Sequence, residues 1–159
     1  MKIGVPKEIK SQENRIGLTP ESVKILTSNG NEVMVENNGG FEAGFYNEQY
    51  KSAGAKIVDK AEDIFNDSEM IIKVKEPQMN EVEMLKENQI LFTYLHLSAA
   101  PKLTKGLIDS KSICIAYETV TDQNNKLPLL APMSAVAGRM SIQACLLYTS
   151  PSPRDSDQS

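Results

Sequence analysis

Short apolar runs rich in β-branched residues alternate with helix-like segments along most of the chain. Six of these runs have the length and composition of strands, namely residues 2–5, 31–36, 55–58, 70–75, 90–96 and 113–118. Runs 70–75 and 113–118 are apolar almost throughout, which is typical of strands that helices cover on both faces of a sheet. The alternation predicts an α/β fold, a doubly wound and mostly parallel sheet.

Residues typical of helix ends mark two of the segments between the strands. Thr19 is a suitable cap for a helix that begins with Pro20 and ends at Gly30, and a second helix extends from Asn47 to Gly54. Apolar residues at helical spacing predict further helices at about 60–67, 80–87 and 101–110. Each strand pair is therefore joined by the kind of crossover that a parallel sheet requires.

The chain changes character toward its C-terminal end. We expect one domain over residues 1–131, followed at 132–144 by a helix that Pro132 opens and that crosses to another domain. From Cys145 onward, Ser, Pro and Asp replace the apolar periodicity. Residues 145–159 are either a natural disordered tail or a segment foreign to the protein. We favour the second interpretation, because CLLYTSPSPRD resembles a translated sequencing adaptor.

Composition narrows the class of partner. The 159 residues suffice for one domain with a real core, and 17 basic against 21 acidic residues give a net charge of -4. That balance argues against binding to nucleic acid or to an anionic membrane surface and favours small-molecule partners. No apolar run is long enough for a membrane helix and no signal peptide is recognisable, so we expect a cytoplasmic protein. Cys114 and Cys145 lack the spacing of a metal site or a disulfide framework, so no metal is predicted.

Candidate chemistry lies where the predicted strands end. Arg15 follows the first strand, and Lys75, His96 and Glu118 close the fourth, fifth and sixth. Ligands of open parallel sheets bind at the carboxyl ends of the strands, so we expect these side chains to face one crevice. A guanidinium and an ammonium can hold a carboxylate there, and an imidazole can move a proton near neutral pH. The set suits a small keto or amino acid.

Each of these residues also has a structural interpretation. Arg15 could pair with Glu13 at the surface, and Lys75 could extend along the sheet edge into water. His96 could be a satisfied structural histidine, and we expect Glu118 to support the cations rather than to react. The chain contains no G-x-G-x-x-G, Walker or nucleophile-elbow motif, and NNGGFEAG at 37–44 is better explained as a tight loop.

Several segments together resemble the N-terminal part of bacterial alanine dehydrogenase. They are MKIGVPKEIKSQENRIGLTP, IIKVKEP, LFTYLHLSAAP, IAYETV and PMSAVAGRMSIQ, in this order, and the resemblance covers about residues 1–144. It implies a Rossmann-like substrate domain of an enzyme that oxidatively deaminates L-alanine with NAD to pyruvate, ammonia and NADH. It also implies a homo-oligomer, commonly a hexamer.

The resemblance assigns roles to particular residues. Arg15 of ENRIGLTP and Lys75 of KVKEP correspond to the substrate-binding pair, and His96 of TYLHL corresponds to the catalytic acid/base. Ser134 of PMSAVAGRMS corresponds to a position that contacts NAD. The family's cofactor domain, including a second acid/base Asp, has no counterpart in this sequence, so we expect the chain as written to be inactive.

Two other functions remain open at this stage. The related subunit of proton-translocating nicotinamide nucleotide transhydrogenase shares the N-terminal architecture, but His96 together with Lys75 favours the dehydrogenase. A non-catalytic module that binds small carboxylates would need only Arg15 and Lys75.

Overall fold

The computed structural model describes residues 1–149, and within them the predicted strands form one six-stranded sheet in which every pairing is parallel. The strands are β1 (Lys2–Val5), β2 (Glu32–Glu36), β3 (Lys56–Val58), β4 (Met70–Ile72), β5 (Ile90–Thr93) and β6 (Ile113–Ala116). The helices are α1 (Pro20–Ser28), α2 (Asn47–Ser52), α3 (Ala61–Asp67), α4 (Met79–Val82), α5 (Pro101–Ser110) and α6 (Ala131–Thr149). Short 3₁₀ turns occur at Phe41–Ala43, Leu97–Ala99 and Tyr117–Thr119.

Helices pack on both faces of the sheet, which confirms the predicted doubly wound α/β fold. One core cluster joins α1 and α2 to β1 and β2 through residues such as Val23 and Tyr50, and a second joins α3, α4 and α5 to β4 and β5. Gly4 of β1 permits the close approach of α3, because a Cβ there would lie 2.5 Å from Ile64 Cγ2 and 2.3 Å from Ser68 Oγ. The strand order β3-β2-β1-β4-β5-β6 reverses between β1 and β4.

The helix-end signals of the sequence are confirmed. Thr19 Oγ1 accepts a hydrogen bond from the Ser22 amide at 3.3 Å, with Pro20 in the first turn of α1. Gly30 and Gly54 follow α1 and α2 with φ values of +80° and +90°, which is the left-handed conformation that glycine adopts without a steric penalty.

Three strands end earlier than predicted, so Lys75, His96 and Glu118 do not close strands. β4 ends at Ile72 because the amides of Val74 and Lys75 donate to the carboxylate of Glu8 instead of continuing a regular ladder. β5 ends at Thr93, and the chain then turns through His96 with φ at +49°. β6 passes at once into the 3₁₀ turn Tyr117–Thr119, which contains Glu118.

The helix predicted at 80–87 is shorter in the structure. α4 ends at Val82, and the amides of Met84 and Leu85 donate to carbonyls three residues earlier, as in 3₁₀ turns. Asn88 then takes a φ of +64°, which helical geometry excludes.

The prediction that strand 113–118 is covered on both faces is wrong. Ile113 and Ile115 of β6 remain 48% and 39% exposed. β6 is the edge strand of the sheet, and the core cluster on the α1 and α2 face is built around β1 and β2.

The chain divides into one compact unit, Met1–Tyr117, and a second that begins at Glu118. The second contains α6, which begins at Ala131, one residue before Pro132, and continues through Cys145 to Thr149. The predicted domain boundary at 131 and the foreign origin of 145–159 stay predictions, and residues 150–159 lie outside the described part. Among residues 1–149, no helix is long and apolar enough to span a membrane.

Candidate functional site

The predicted site residues of the first unit lie on loops that leave neighbouring strands at one edge of the sheet. Arg15 belongs to the loop after β1, Lys75 to the loop after β4, and His96 to the loop after β5, and these three strands are adjacent. The strand order reverses between β1 and β4, and ligands of open α/β sheets are expected to bind where the loops diverge at such a point.

Arg15 forms a two-pronged ion pair with Glu13 on its own loop. Its Nε donates to Glu13 Oε1 at 2.8 Å and its Nη2 to Oε2 at 2.6 Å, and the Arg15 backbone amide also donates to Oε1 at 2.9 Å. The surface pair considered for Arg15 is therefore present. Half of the Arg15 side chain remains exposed, whereas the Glu13 side chain is 7% exposed.

The pKa of Glu13 also reflects the charge of Lys75. The hydrogen bond from Arg15 lowers the pKa of Glu13 from 4.5 to about 2, and the charge of Lys75 acts in the same direction. The bond to Glu13 raises the pKa of Arg15, with a further contribution from the charge of Glu8. The positive charges of Arg15 and Lys75 therefore both act on the Glu13 carboxylate. The sequence predicts such a pair of cations for a site that binds a carboxylate.

A buried charged cluster lies behind these residues and was not predicted. Lys73 Nζ lies 2.7 Å from Glu81 Oε1 and 3.2 Å from Glu8 Oε2, and the three side chains are 0%, 3% and 2% exposed. Burial raises the pKa of Glu8, although the charge of Lys73 and the Val74 amide oppose the shift. We refer to Glu8, Lys73 and Glu81 as the buried ion cluster.

His96 is exposed and stacks on a buried tyrosine. The rings of His96 and Tyr94 are 6.2 Å apart with an interplanar angle of 17°, and Tyr94 contacts the edge of Tyr117 at 4.9 Å. Burial is the main cause of the raised pKa of Tyr117, and the charges of Tyr94 and Glu8 add to it. The imidazole is thus accessible to a reactant while its ring plane is supported from one side.

Glu76 connects the His96 region to the loop after β1. Partial burial acts to raise the pKa of Glu76, but its ion pair with Lys10 and the charge of His96 lower the pKa overall. The loops after β1, β4 and β5 are thus linked by charge at one sheet edge.

The sequence matches the family described as "Alanine dehydrogenase/PNT, N-terminal domain" over residues 4–137. The chain belongs to this family. The family resemblance of the motifs is thereby confirmed, and the site described above is the strand-end crevice of an alanine dehydrogenase/PNT N-terminal domain.

Similar proteins of this family carry the name alanine dehydrogenase. The alanine dehydrogenase of Methanococcus maripaludis is 53% identical over 148 residues, covering 93% of this chain and 40% of that protein. The alanine dehydrogenase of Staphylococcus epidermidis is 55% identical over 143 residues, covering 90% and 38%. The chain thus spans about two-fifths of the length of the curated relatives it matches.

Solved structures of the family agree with the fold. An L-alanine dehydrogenase superposes with a TM-score of 0.85 at 50% identity, covering 90% of this chain and 39% of that one. A transhydrogenase from Sinorhizobium meliloti superposes with a TM-score of 0.71 at 23% identity, covering 77% and 36%. The second likeness concerns the fold alone.

The alanine dehydrogenase/PNT unit Met1–Tyr117 does not fit a dinucleotide at its crevice. Dinucleotide folds place a short Gly-rich turn and the helix N-terminus at the pyrophosphate, whereas here the long loop 6–19 brings in the carboxylates of Glu8 and Glu13. This loop contains a single glycine, Gly17, and so lacks the Gly-rich turn that a pyrophosphate requires.

Ser134 and Glu118 belong to the second unit. Ser134 is exposed on α6, and its hydroxyl donates to the Leu130 carbonyl at 3.3 Å. Their predicted roles, contact with NAD for Ser134 and support of the cations for Glu118, stay predictions.

Proposed function

We propose that this chain is the substrate-binding part of an NAD-dependent alanine dehydrogenase, which oxidatively deaminates L-alanine to pyruvate, ammonia and NADH. The observation that supports this most directly is geometric: the planar fork of Arg15 holds the Glu13 carboxylate at 2.8 and 2.6 Å, at the sheet edge where the loop of Lys75 also emerges. Two cations that act on one carboxylate in a strand-end crevice can hold the carboxylate of a small keto or amino acid in the same way.

Arg15, Lys75 and His96 have different roles in this reaction, which follow from the chemistry of their side chains. Arg15 binds the substrate carboxylate through its planar fork, for which the substrate competes with Glu13. Lys75 supplies a compact positive charge that polarises the carbonyl or imine. His96, exposed beside Tyr94, accepts a proton from the water that adds to the imine and returns it as ammonia leaves.

Further parts of the proposal concern the full-length protein. NAD, the hydride acceptor, is held by residues outside the unit Met1–Tyr117, and within this chain by Ser134 at most. We propose a homo-oligomer, a hexamer by family resemblance, that acts in the cytoplasm in L-alanine catabolism. Analytical ultracentrifugation of the full-length protein tests the oligomeric state.

The transhydrogenase alternative has weaker support. The superposition on the transhydrogenase is at 23% identity, whereas the relatives named alanine dehydrogenase exceed 50%. We therefore retain the dehydrogenase as the proposal.

Calorimetric titration of the 159-residue chain with pyruvate tests the substrate site. We expect binding in the millimolar range that Arg15→Ala and Lys75→Ala each weaken at least about tenfold, since each removes a charged hydrogen-bond donor. Lys24→Ala, which alters an exposed lysine of α1, is the matched control and should leave the affinity unchanged. Absence of any pyruvate binding would contradict the proposal.

A chimera tests the enzyme rather than the binding module. Residues 1–144 are joined to the remainder of the Methanococcus maripaludis relative, and alanine-dependent formation of NADH is measured. We expect activity that His96→Ala lowers by about 10²–10⁴-fold while NADH binding is retained. A folded chimera that binds pyruvate but forms no NADH would favour the non-catalytic carboxylate-binding module.

A further inference from the structure

Burial of the three charges of the ion cluster costs free energy, and stability alone does not explain why the chain contains them. Removing Glu8, Lys73 and Glu81 from water is unfavourable, and well-packed apolar residues of similar volume often serve a fold equally well. The cluster also lies just beyond β1 and β4, where the substrate crevice opens. A role connected with the crevice would explain why charges are used there.

One carboxylate of the cluster holds three consecutive residues. Glu8 Oε1 accepts a hydrogen bond from the Val74 amide at 2.6 Å and a longer one from the Lys75 amide at 3.4 Å. Glu8 Oε2 lies 3.2 Å from Lys73 Nζ. A single side chain from the loop after β1 therefore fixes both the backbone and the preceding side chain of the turn that presents Lys75.

Glu81 is tied to the same lysine but holds no backbone amide of this turn. Its Oε1 accepts from Lys73 Nζ at 2.7 Å, and its Oε2 accepts from the Gln78 amide at 2.8 Å, at the beginning of α4. Glu81 and Glu8 are equally buried acids with one shared partner. They differ in which backbone amides they hold, so one can serve as the control for the other.

We propose that Glu8 is a positioning residue, which fixes the turn Lys73–Val74–Lys75 and with it the position from which Lys75 binds the substrate carboxylate. Thr93 supports the turn from the other side, since its hydroxyl donates to the Lys75 carbonyl at 2.9 Å. Glu8 thereby couples the two loops that supply the cations, because it lies on the loop of Arg15 and holds the turn of Lys75. This inference rests on the proposed function, since it concerns the same substrate site.

The test compares Glu8→Ala with Glu81→Ala in the 159-residue chain, at a temperature where circular dichroism shows both to be folded. Pyruvate affinity is measured by calorimetry, and amide hydrogen exchange of Val74 and Lys75 is measured by NMR without ligand. We expect Glu8→Ala to weaken pyruvate binding at least about tenfold and to accelerate exchange at both amides, because their acceptor is gone. Glu81→Ala should change the affinity by less than about threefold and leave these amides protected.

Glu8→Gln provides the rescue, since it keeps an acceptor for the amides and removes the charge. We expect this variant to restore exchange protection at Val74 and most of the pyruvate affinity. It also tests the positioning role if Glu8→Ala does not fold. Wild-type affinity in folded Glu8→Ala, or equal losses in Glu8→Ala and Glu81→Ala, would overturn the positioning role. If Glu8→Ala does not fold, a Glu8→Gln chain as weak as Lys75→Ala would overturn it.

Failure of the proposed function would give a different result. In that case the wild-type chain itself does not bind pyruvate, and the exchange data decide the role of Glu8. Selective loss of protection at Val74 and Lys75 in Glu8→Ala would still support Glu8 as the residue that fixes the turn, and equal exchange in both variants would overturn it.

Discussion

Two groups of opposite charges lie at the carboxyl edge of the sheet in contrasting surroundings. In the buried ion cluster, Lys73 and its two carboxylates are at most 3% exposed. In the pair of Arg15 and Glu13, half of the guanidinium side chain is exposed. The first group is enclosed by protein and cannot exchange its partners for a solute, whereas the second can.

This difference in exposure separates ion pairs that stabilise the loops from an ion pair whose cation is open to a ligand. The Arg15 side of its pair is open to water and salt, which screen it, so a carboxylate in solution can reach the guanidinium. A buried charge that loses its partner is strongly destabilising, so the buried ion cluster holds its loops together firmly. Permanent charge pairs therefore support the crevice from behind, and exchangeable pairs face it.

The largest effect should follow Lys73→Met, which leaves Glu8 and Glu81 buried without their cation. We expect a loss of about 3–5 kcal/mol in the free energy of unfolding at pH 7, measured by urea denaturation. Part of this loss should be recovered as the pH falls toward 5, because burial raises the pKa of Glu8 and its protonation removes a buried negative charge.

A triple variant completes this test of the buried group. Lys73→Met combined with Glu8→Gln and Glu81→Gln removes all three charges and should regain much of the stability. A Lys73→Met chain as stable as the wild type would show that the cluster is not the rigid support described here.

Arg15→Lys should produce a smaller effect, and on binding rather than on stability. The ammonium keeps the charge but loses the planar fork, so we expect pyruvate binding to weaken about tenfold, or about 1.4 kcal/mol. The urea midpoint should stay close to that of the wild type, since the pair is half exposed. Calorimetry that finds an unchanged affinity would remove Arg15 from the site.

Local signals account for most of what the sequence predicts about the fold. All six strands occur where the apolar runs are, because such runs can be buried only inside a sheet that helices cover. Thr19, Gly30 and Gly54 mark helix ends through backbone conformations that depend only on near neighbours. The parallel arrangement then brings the loops of Arg15, Lys75 and His96 to one edge.

Nonlocal contacts explain what the sequence did not predict. β4 stops at Ile72 because Glu8, more than 60 residues earlier, accepts the amides of Val74 and Lys75. The signal for the buried ion cluster was Lys73 itself, a lysine inside an apolar run, which requires a buried acidic partner. Which acids fulfil that role depends on tertiary packing, so Glu8 and Glu81 could not be identified from spacing.

The cation of the pair Lys10–Glu76 is intermediate in exposure, since the Lys10 side chain is 39% exposed against 0% for Lys73 and 50% for Arg15. We expect Lys10→Ala to lower the free energy of unfolding by about 1 kcal/mol, because the carboxylate it leaves is only partly hydrated. Urea denaturation at pH 7 measures the change, with Lys24→Ala as the exposed control. A loss as large as that of Lys73→Met would mean that exposure does not rank these pairs.

Glu13→Gln should have the smallest effect on stability and a characteristic dependence on pH. The pKa of Glu13 is lowered from 4.5 to about 2, so the folded state binds fewer protons than the unfolded state between these values. The stabilisation by the Glu13 charge is therefore fully present above pH 4.5 and is lost as the pH falls toward 2. Solvent screening of the half-exposed Arg15 limits it to less than about 1 kcal/mol.

Urea denaturation of the wild type and Glu13→Gln between pH 3 and 7 measures this dependence, with Glu48→Gln in the exposed pair with Lys51 as the matched control. The wild type should be more stable than Glu13→Gln at pH 7, and the difference should shrink toward pH 3, whereas Glu48→Gln should follow the wild type within about 0.3 kcal/mol throughout. A difference that stays constant or grows on acidification would mean that the Glu13 charge does not stabilise the fold. Arg15 would then have no ionic partner of its own to exchange for a substrate, and the contrast with the buried ion cluster would rest on burial alone.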